Sequence, residues 1–93
     1  MFEAYFGEAS GIAERGGVEF LMRPNPTRGR VEVECGEAVA EIAVRDVSGR
    51  EVLRRKATGE RTELETEGLA SGVYFVTVTT ERGTGTRKLV IER

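Results

Sequence analysis

The sequence predicts an all-β fold, and three observations carry that prediction. Runs rich in Val, Ile, Thr and aromatic residues recur between clusters of turn residues. Several of these runs alternate apolar and polar side chains with period two, the signature of a sheet with one wet face. No stretch sustains a 3.6-residue apolar period beyond a turn or two. A chain of 93 residues forms one domain. At this length folding buries about 60–65% of the surface that the unfolded chain exposes, which leaves little room for a deep enclosed active site.

Residues 1–17 read as a linker or the end of an upstream passenger. They mix small and acidic residues with Tyr5 and Phe6, allow one weak helical turn from Glu3 to Ala9, and end at the Gly16-Gly17 break. Residues 18–93 form the domain. Seven strand-like runs follow: Val18 to Arg23, Arg30 to Cys35, Val39 to Asp46, Arg50 to Ala57, Thr62 to Leu69, Val73 to Thr80 and Arg87 to Glu92. In the second run Val31, Val33 and Cys35 share a face opposite Arg30, Glu32 and Glu34. In the third Ala40, Ile42 and Val44 alternate with Glu41, Ala43 and Arg45. Leu64 stands between Glu63 and Glu65. The run from Val73 to Val78 starts apolar on both faces, which suits a central strand whose outer face is partly covered, and both Tyr74 and Phe75 are expected in the core. Seven short strands at this spacing argue for an immunoglobulin-like antiparallel β-sandwich, with an edge-closed barrel as the alternative.

The turns have their own chemistry. Asp46-Val47-Ser48-Gly49 joins two alternating runs: the Asp46 carboxylate accepts turn amides and Gly49 supplies a positive φ. Glu81 to Gly85 reads as a second hairpin loop, and Ala70-Ser71-Gly72 as a tight swing into the strand at Val73. In Pro24-Asn25-Pro26 each proline keeps the preceding residue out of the α region, so the segment is extended and has no donors to spare.

Composition excludes several function classes. The 14 basic and 16 acidic residues are interspersed and leave a net charge of -2, so no basic stripe exists to neutralise phosphates. With no histidine, a Ser/His/Asp or Cys/His triad cannot be assembled, and one cysteine cannot close a zinc site. Cys35 is expected to be a buried strand residue. No phosphate-binding glycine loop is present. Glu63, Glu65 and Glu67 share a strand face, but no loop adds the carbonyl ligands calcium needs; they are expected to pair with arginines such as Arg54 or Arg55. No run of 18 apolar residues spans a membrane, and the first residues lack the basic and apolar regions of a signal peptide. If the domain is exported, its export leader lies in sequence outside this chain. The expectation is a protein with no catalytic residues, no cofactor and no metal.

A set of ordered motifs adds to this reading. Pro24-Asn25-Pro26 is followed by Gly29 and an alternating strand; Asp46, Gly49 and Arg50 form an Asp-x-x-Gly-Arg hairpin; Leu69, Gly72 and Tyr74 form a Leu-x-x-Gly-x-Tyr segment; Lys88, Leu89, Val90 and Arg93 close the chain. In that order and spacing they resemble the type A C-terminal sorting domain of the type IX secretion system of Bacteroidetes-type bacteria. Arg23 departs from the aromatic or aliphatic residue that often precedes the first motif in that family.

The resemblance implies a seven-strand immunoglobulin-like sandwich that serves as an export address. Its partners would be an upstream cargo domain in the same polypeptide, an outer-membrane translocon, and a sortase-like cysteine peptidase that removes the tail. The processing site is expected between Gly7 and Gly17. The implied route runs through the periplasm to the cell surface or beyond. Lys88 and Arg93 are the strongest candidates for recognition, because charges near a chain end contribute little to a core. The alternative reading is a non-catalytic spacer or adhesion module of a surface protein.

Overall fold

A computed structural model describes residues 17–57 and 59–92. Among the described residues seven strands form and there is no helix: β1 Phe20–Arg23, β2 Arg30–Cys35, β3 Val39–Asp46, β4 Glu51–Lys56, β5 Arg61–Glu65, β6 Gly72–Thr80 and β7 Gly83–Ile91. They make two antiparallel sheets, a three-stranded one in the order β1-β2-β5 and a four-stranded one in the order β4-β3-β6-β7. The all-β immunoglobulin-like sandwich expected from the sequence is what forms, and its two separate sheets exclude the barrel.

The alternation in the sequence sorts residues between core and solvent. Val31, Val33 and Cys35 from β2 and Leu64 from β5 face Ile42, Val44, Tyr74, Val76, Val78, Leu89 and Ile91 from the other sheet, all of them buried. Fully burying one such aliphatic side chain is worth about 1.5–3 kcal/mol, so this interleaved layer dominates stability. The Cys35 Sγ lies 3.6 Å from the Glu19 carbonyl oxygen, in the position expected of a small buried strand residue.

Several boundaries differ from the sequence reading, each for a local reason. The alternation in β3 breaks at its start. A register shift between Val39 and Glu41 turns Val39 inward and leaves Ala40 exposed, while Ala43 is buried. Strand β5 stops at Glu65 rather than Leu69, because Thr66 leaves the ladder. Its amide and its hydroxyl both donate to the Gly29 carbonyl, at 2.7 and 2.6 Å. The loop expected from Glu81 to Gly85 is shorter. Thr80 pairs with Gly83, so only Glu81 and Arg82 lie between the strands, and Gly83 to Gly85 belong to β7.

The expected pairing of the Glu63–Glu67 face with Arg54 or Arg55 is also wrong. Strand β5 pairs with β2, so Glu65 meets Arg30 (3.0 Å) and Glu63 stands opposite Glu32. Arg54 lies on the other sheet, where Glu41 and Glu51 hold it at 2.6 Å each. Phe75, expected in the core, is 39% exposed, because in strict alternation it points away from its buried neighbours Tyr74 and Val76.

Candidate functional site

Strand directions give the sandwich two poles. At one pole β3 ends at Asp46, β6 begins at Gly72 and β7 ends at Ile91. There the segment from Pro24 to Gly29 also passes, since Thr27 bridges to Ile91. The opposite pole holds the β6–β7 turn and the point where the described chain enters, with the Val18 amide donating to the Thr84 carbonyl (3.1 Å). Strand β7, nine residues long, separates the two by roughly 30 Å. Pro24, Asn25, Pro26, Gly29, Asp46, Gly49, Arg50, Leu69, Gly72, Tyr74, Lys88, Leu89 and Val90 are therefore gathered at or near one pole, away from the entry. Arg93, the last of the motif residues, lies outside the described residues.

The first motif is a clasp on the outer edge of β7. Its two X-Pro bonds, Arg23-Pro24 and Asn25-Pro26, are both cis. Between the prolines the Asn25 side chain lies along the strand edge, its Nδ2 donating to the Lys88 carbonyl (3.0 Å) and its Oδ1 accepting the Val90 amide (3.1 Å). One residue past Pro26, the Thr27 amide donates to the Val90 carbonyl (2.9 Å), and the Thr27 carbonyl accepts the Glu92 amide (2.8 Å). The sequence reading gave this segment no donors to spare; the asparagine side chain adds one. Thr27 is 1% exposed, and its hydroxyl donates to the Arg30 carbonyl at 2.7 Å. Because β1 and β2 flank the clasp and belong to the other sheet, it ties the two sheets together at this pole.

The second motif closes the β3–β4 hairpin. Asp46 Oδ1 accepts the Ser48 amide (3.0 Å), the Ser48 hydroxyl (2.6 Å) and the Arg50 amide (3.1 Å). Arg50 reaches back to the other carboxylate oxygen at 3.4 Å. Chiefly the Ser48 hydroxyl, and with it the two amides and the Arg50 guanidinium, hold the Asp46 carboxyl below the usual carboxylate range, against an opposing push from desolvation. Gly49 takes φ +92°, as the turn chemistry required, with Val47 projecting at the tip, 74% exposed.

The third motif turns the chain into β6. Leu69 packs on the core margin. Gly72 has φ +157°, and the buried Tyr74 ring extends its hydroxyl to donate to the Ala70 carbonyl (2.7 Å). In the fourth, Leu89 and Ile91 are buried, whereas Lys88 is exposed on the outer face.

Three of the motifs thus hold this pole in shape through hydrogen bonds within the chain. Sequence reasoning gave Thr27 no role beyond following Pro26 in the first motif and did not single out Thr66, yet these two make the inner bonds of the pole. A threonine reads as an ordinary strand residue until its partners are known, and no signal in the sequence separates these two. No group of three or more Cys, Asp or Glu able to hold a metal occurs among the described residues. Among the described residues no helix is long and apolar enough to cross a membrane.

A family model described as the secretion system C-terminal sorting domain matches residues 22–92. The chain belongs to that family. No curated protein and no solved structure matches it. Sorting domains of this family are the signals by which proteins are secreted through the type IX system, and the match runs from just before the Asn25 clasp to the end of the described chain. The resemblance read from four short motifs and the family model therefore coincide over nearly the whole sandwich.

Proposed function

We propose that this sorting domain is the export address of a larger cargo, carrying it from the periplasm across the outer membrane through the type IX translocon, and that a sortase-like cysteine peptidase then removes it. One observation carries this reading: motif residues spread from Pro24 to Val90 converge on the pole farthest from the chain's entry. A cargo attached ahead of Val18 would leave that pole free to meet a receptor. The address does no chemistry itself, in keeping with a sequence that has no histidine. Pro24, Asn25, Gly29, Asp46, Gly49, Gly72 and Tyr74 act by fixing the shape of the pole, and the exposed side chains around them provide the information.

Deleting residues 22–92 from the cargo in a host with the secretion system tests this. The expected result is a folded cargo retained in the periplasm. A mature cargo secreted from the intact precursor should end between Gly7 and Gly17 by mass spectrometry. Undiminished secretion of the deleted form would support the spacer reading instead, and a cut between Val31 and Val90 would contradict removal of the intact domain.

A further inference from the structure

Four large apolar side chains are exposed among the described residues, and two of them, Val73 and Phe75, are i, i+2 neighbours on one face. That face is the outer side of the four-stranded sheet at its motif end. In register across it, Phe75 stands between Arg45 on β3 and Lys88 on β7, and Val73 stands beside Val90. The other end of the same strand has a different character. There Thr77 pairs with Thr86, hydroxyl to hydroxyl at 2.9 Å, and Thr79 with Thr84. Strand β6 is central in its sheet, so its outer face at the motif end is apolar where a solvated face would carry threonine or charge.

We infer that Phe75, Val73 and Val90, flanked by Arg45 and Lys88, form the surface by which the address is read, and that its partner is a protein presenting an apolar pocket rimmed by carboxylates. The inference rests on the export reading and names the surface within it. The ring is the anchor, since an aromatic at the centre of a small apolar patch contributes most of the energy of such a contact. The flanking cations set the sign of the rim. Lys88 makes no ion pair with any described residue, so its charge remains to be met from outside, while Arg45 shares Glu51 (3.9 Å) with the closer Arg54 (2.6 Å) and is only partly neutralised. A second copy is a poorer occupant. Two copies docked through this face about a two-fold axis would bring the cations of one against those of the other.

The test is secretion of the cargo carrying the full chain in a host with the type IX system. Phe75→Thr and Lys88→Glu should fold, with thermal midpoints near that of the unmodified tail. The secreted fraction should fall about tenfold or more, while Lys88→Arg and Thr84→Val secrete normally. Phe75→Thr and Lys88→Glu secreting like the unmodified tail would overturn this surface and leave the export reading standing. Equal losses from Lys88→Arg and Lys88→Glu would overturn the acidic rim. A purified tail that is dimeric by light scattering, and monomeric as Phe75→Thr, would assign the patch to self-association and overturn the partner proposed. An unmodified tail that secretes nothing would remove the export reading and this surface together.

Discussion

The side chain of Asn25 and the backbone of Val90, 65 residues apart, are joined across the edge of the last strand, the Asn25 Oδ1 accepting the Val90 amide at 3.1 Å. With the Nδ2 bond to the Lys88 carbonyl, one amide group occupies an acceptor and a donor that an edge strand would otherwise offer to another chain. Asn25→Ala removes both bonds while leaving the two prolines in place. It should cost about 0.5–1.5 kcal/mol per bond at most, since the freed groups can reach water. Urea unfolding measures this; a variant as stable as the parent would mean the clasp is held by Thr27 alone.

At Gly49 the backbone sits at φ +92°, and no atom lies within 4 Å of where a Cβ would be. Any cost of substitution therefore comes from the backbone itself. Gly49→Val should destabilise by on the order of 1–2 kcal/mol or more, and Gly49→Asn by clearly less, because Asn tolerates the left-handed region. Equal losses from the two would point to a side-chain clash that the structure does not contain.

Gly85 is constrained for a different reason. It lies in β7 opposite Val78, and a Cβ there would overlap the Val18 carbonyl oxygen, which belongs to backbone anchored by the Val18–Thr84 bond. Gly85→Ala should cost about 1–3 kcal/mol, the scale of overpacking, whereas Gly36→Ala, with open space around it, should be close to neutral. Calorimetry on the two variants would contradict this packing if they melted alike.

The Asp46 carboxyl titrates below the usual range because its charged form collects the turn's donors. A group depressed in the folded state adds stability above its unfolded pKa, and that stability is lost as pH falls through the lower folded value. The difference in melting temperature between the parent and Asp46→Asn should therefore be full at neutral pH and shrink below the ordinary carboxylate range. A difference that stays constant down to about pH 2 would mean the charge of Asp46 plays no part in holding the turn.

How much was legible in the sequence follows from which forces act locally. Period-two alternation placed Val31, Val33, Leu64, Val76 and Val78 in the core correctly, because in a strand each residue's face is set by its neighbour. Gly49 and Asp46 were legible because a turn's chemistry lies within four residues. What depended on distant pairing was not. The partners of Glu65 and Arg54 follow from strand order, which alternation does not encode. Gly85 reads as a turn residue until the chain near Val18 is seen to cross it. Phe75 looked like core because its composition is that of a core residue; only the parity it shares with Val73 puts it outside. The motif residues were found individually, but their gathering at one pole is a property of the folded topology alone.

Sufficiency of this domain as an export address is what the export reading requires. Its most direct test attaches residues 17–93 to a monomeric reporter that is delivered to the periplasm and folds there, in a host with the type IX system and in the same host lacking its outer-membrane translocon. Reporter activity is then measured in the medium and cell-surface fractions and in the periplasm. Reporter is expected at the surface or in the medium only when both tail and translocon are present. Retention in the periplasm of both hosts, with the tail shown to be folded, would contradict it.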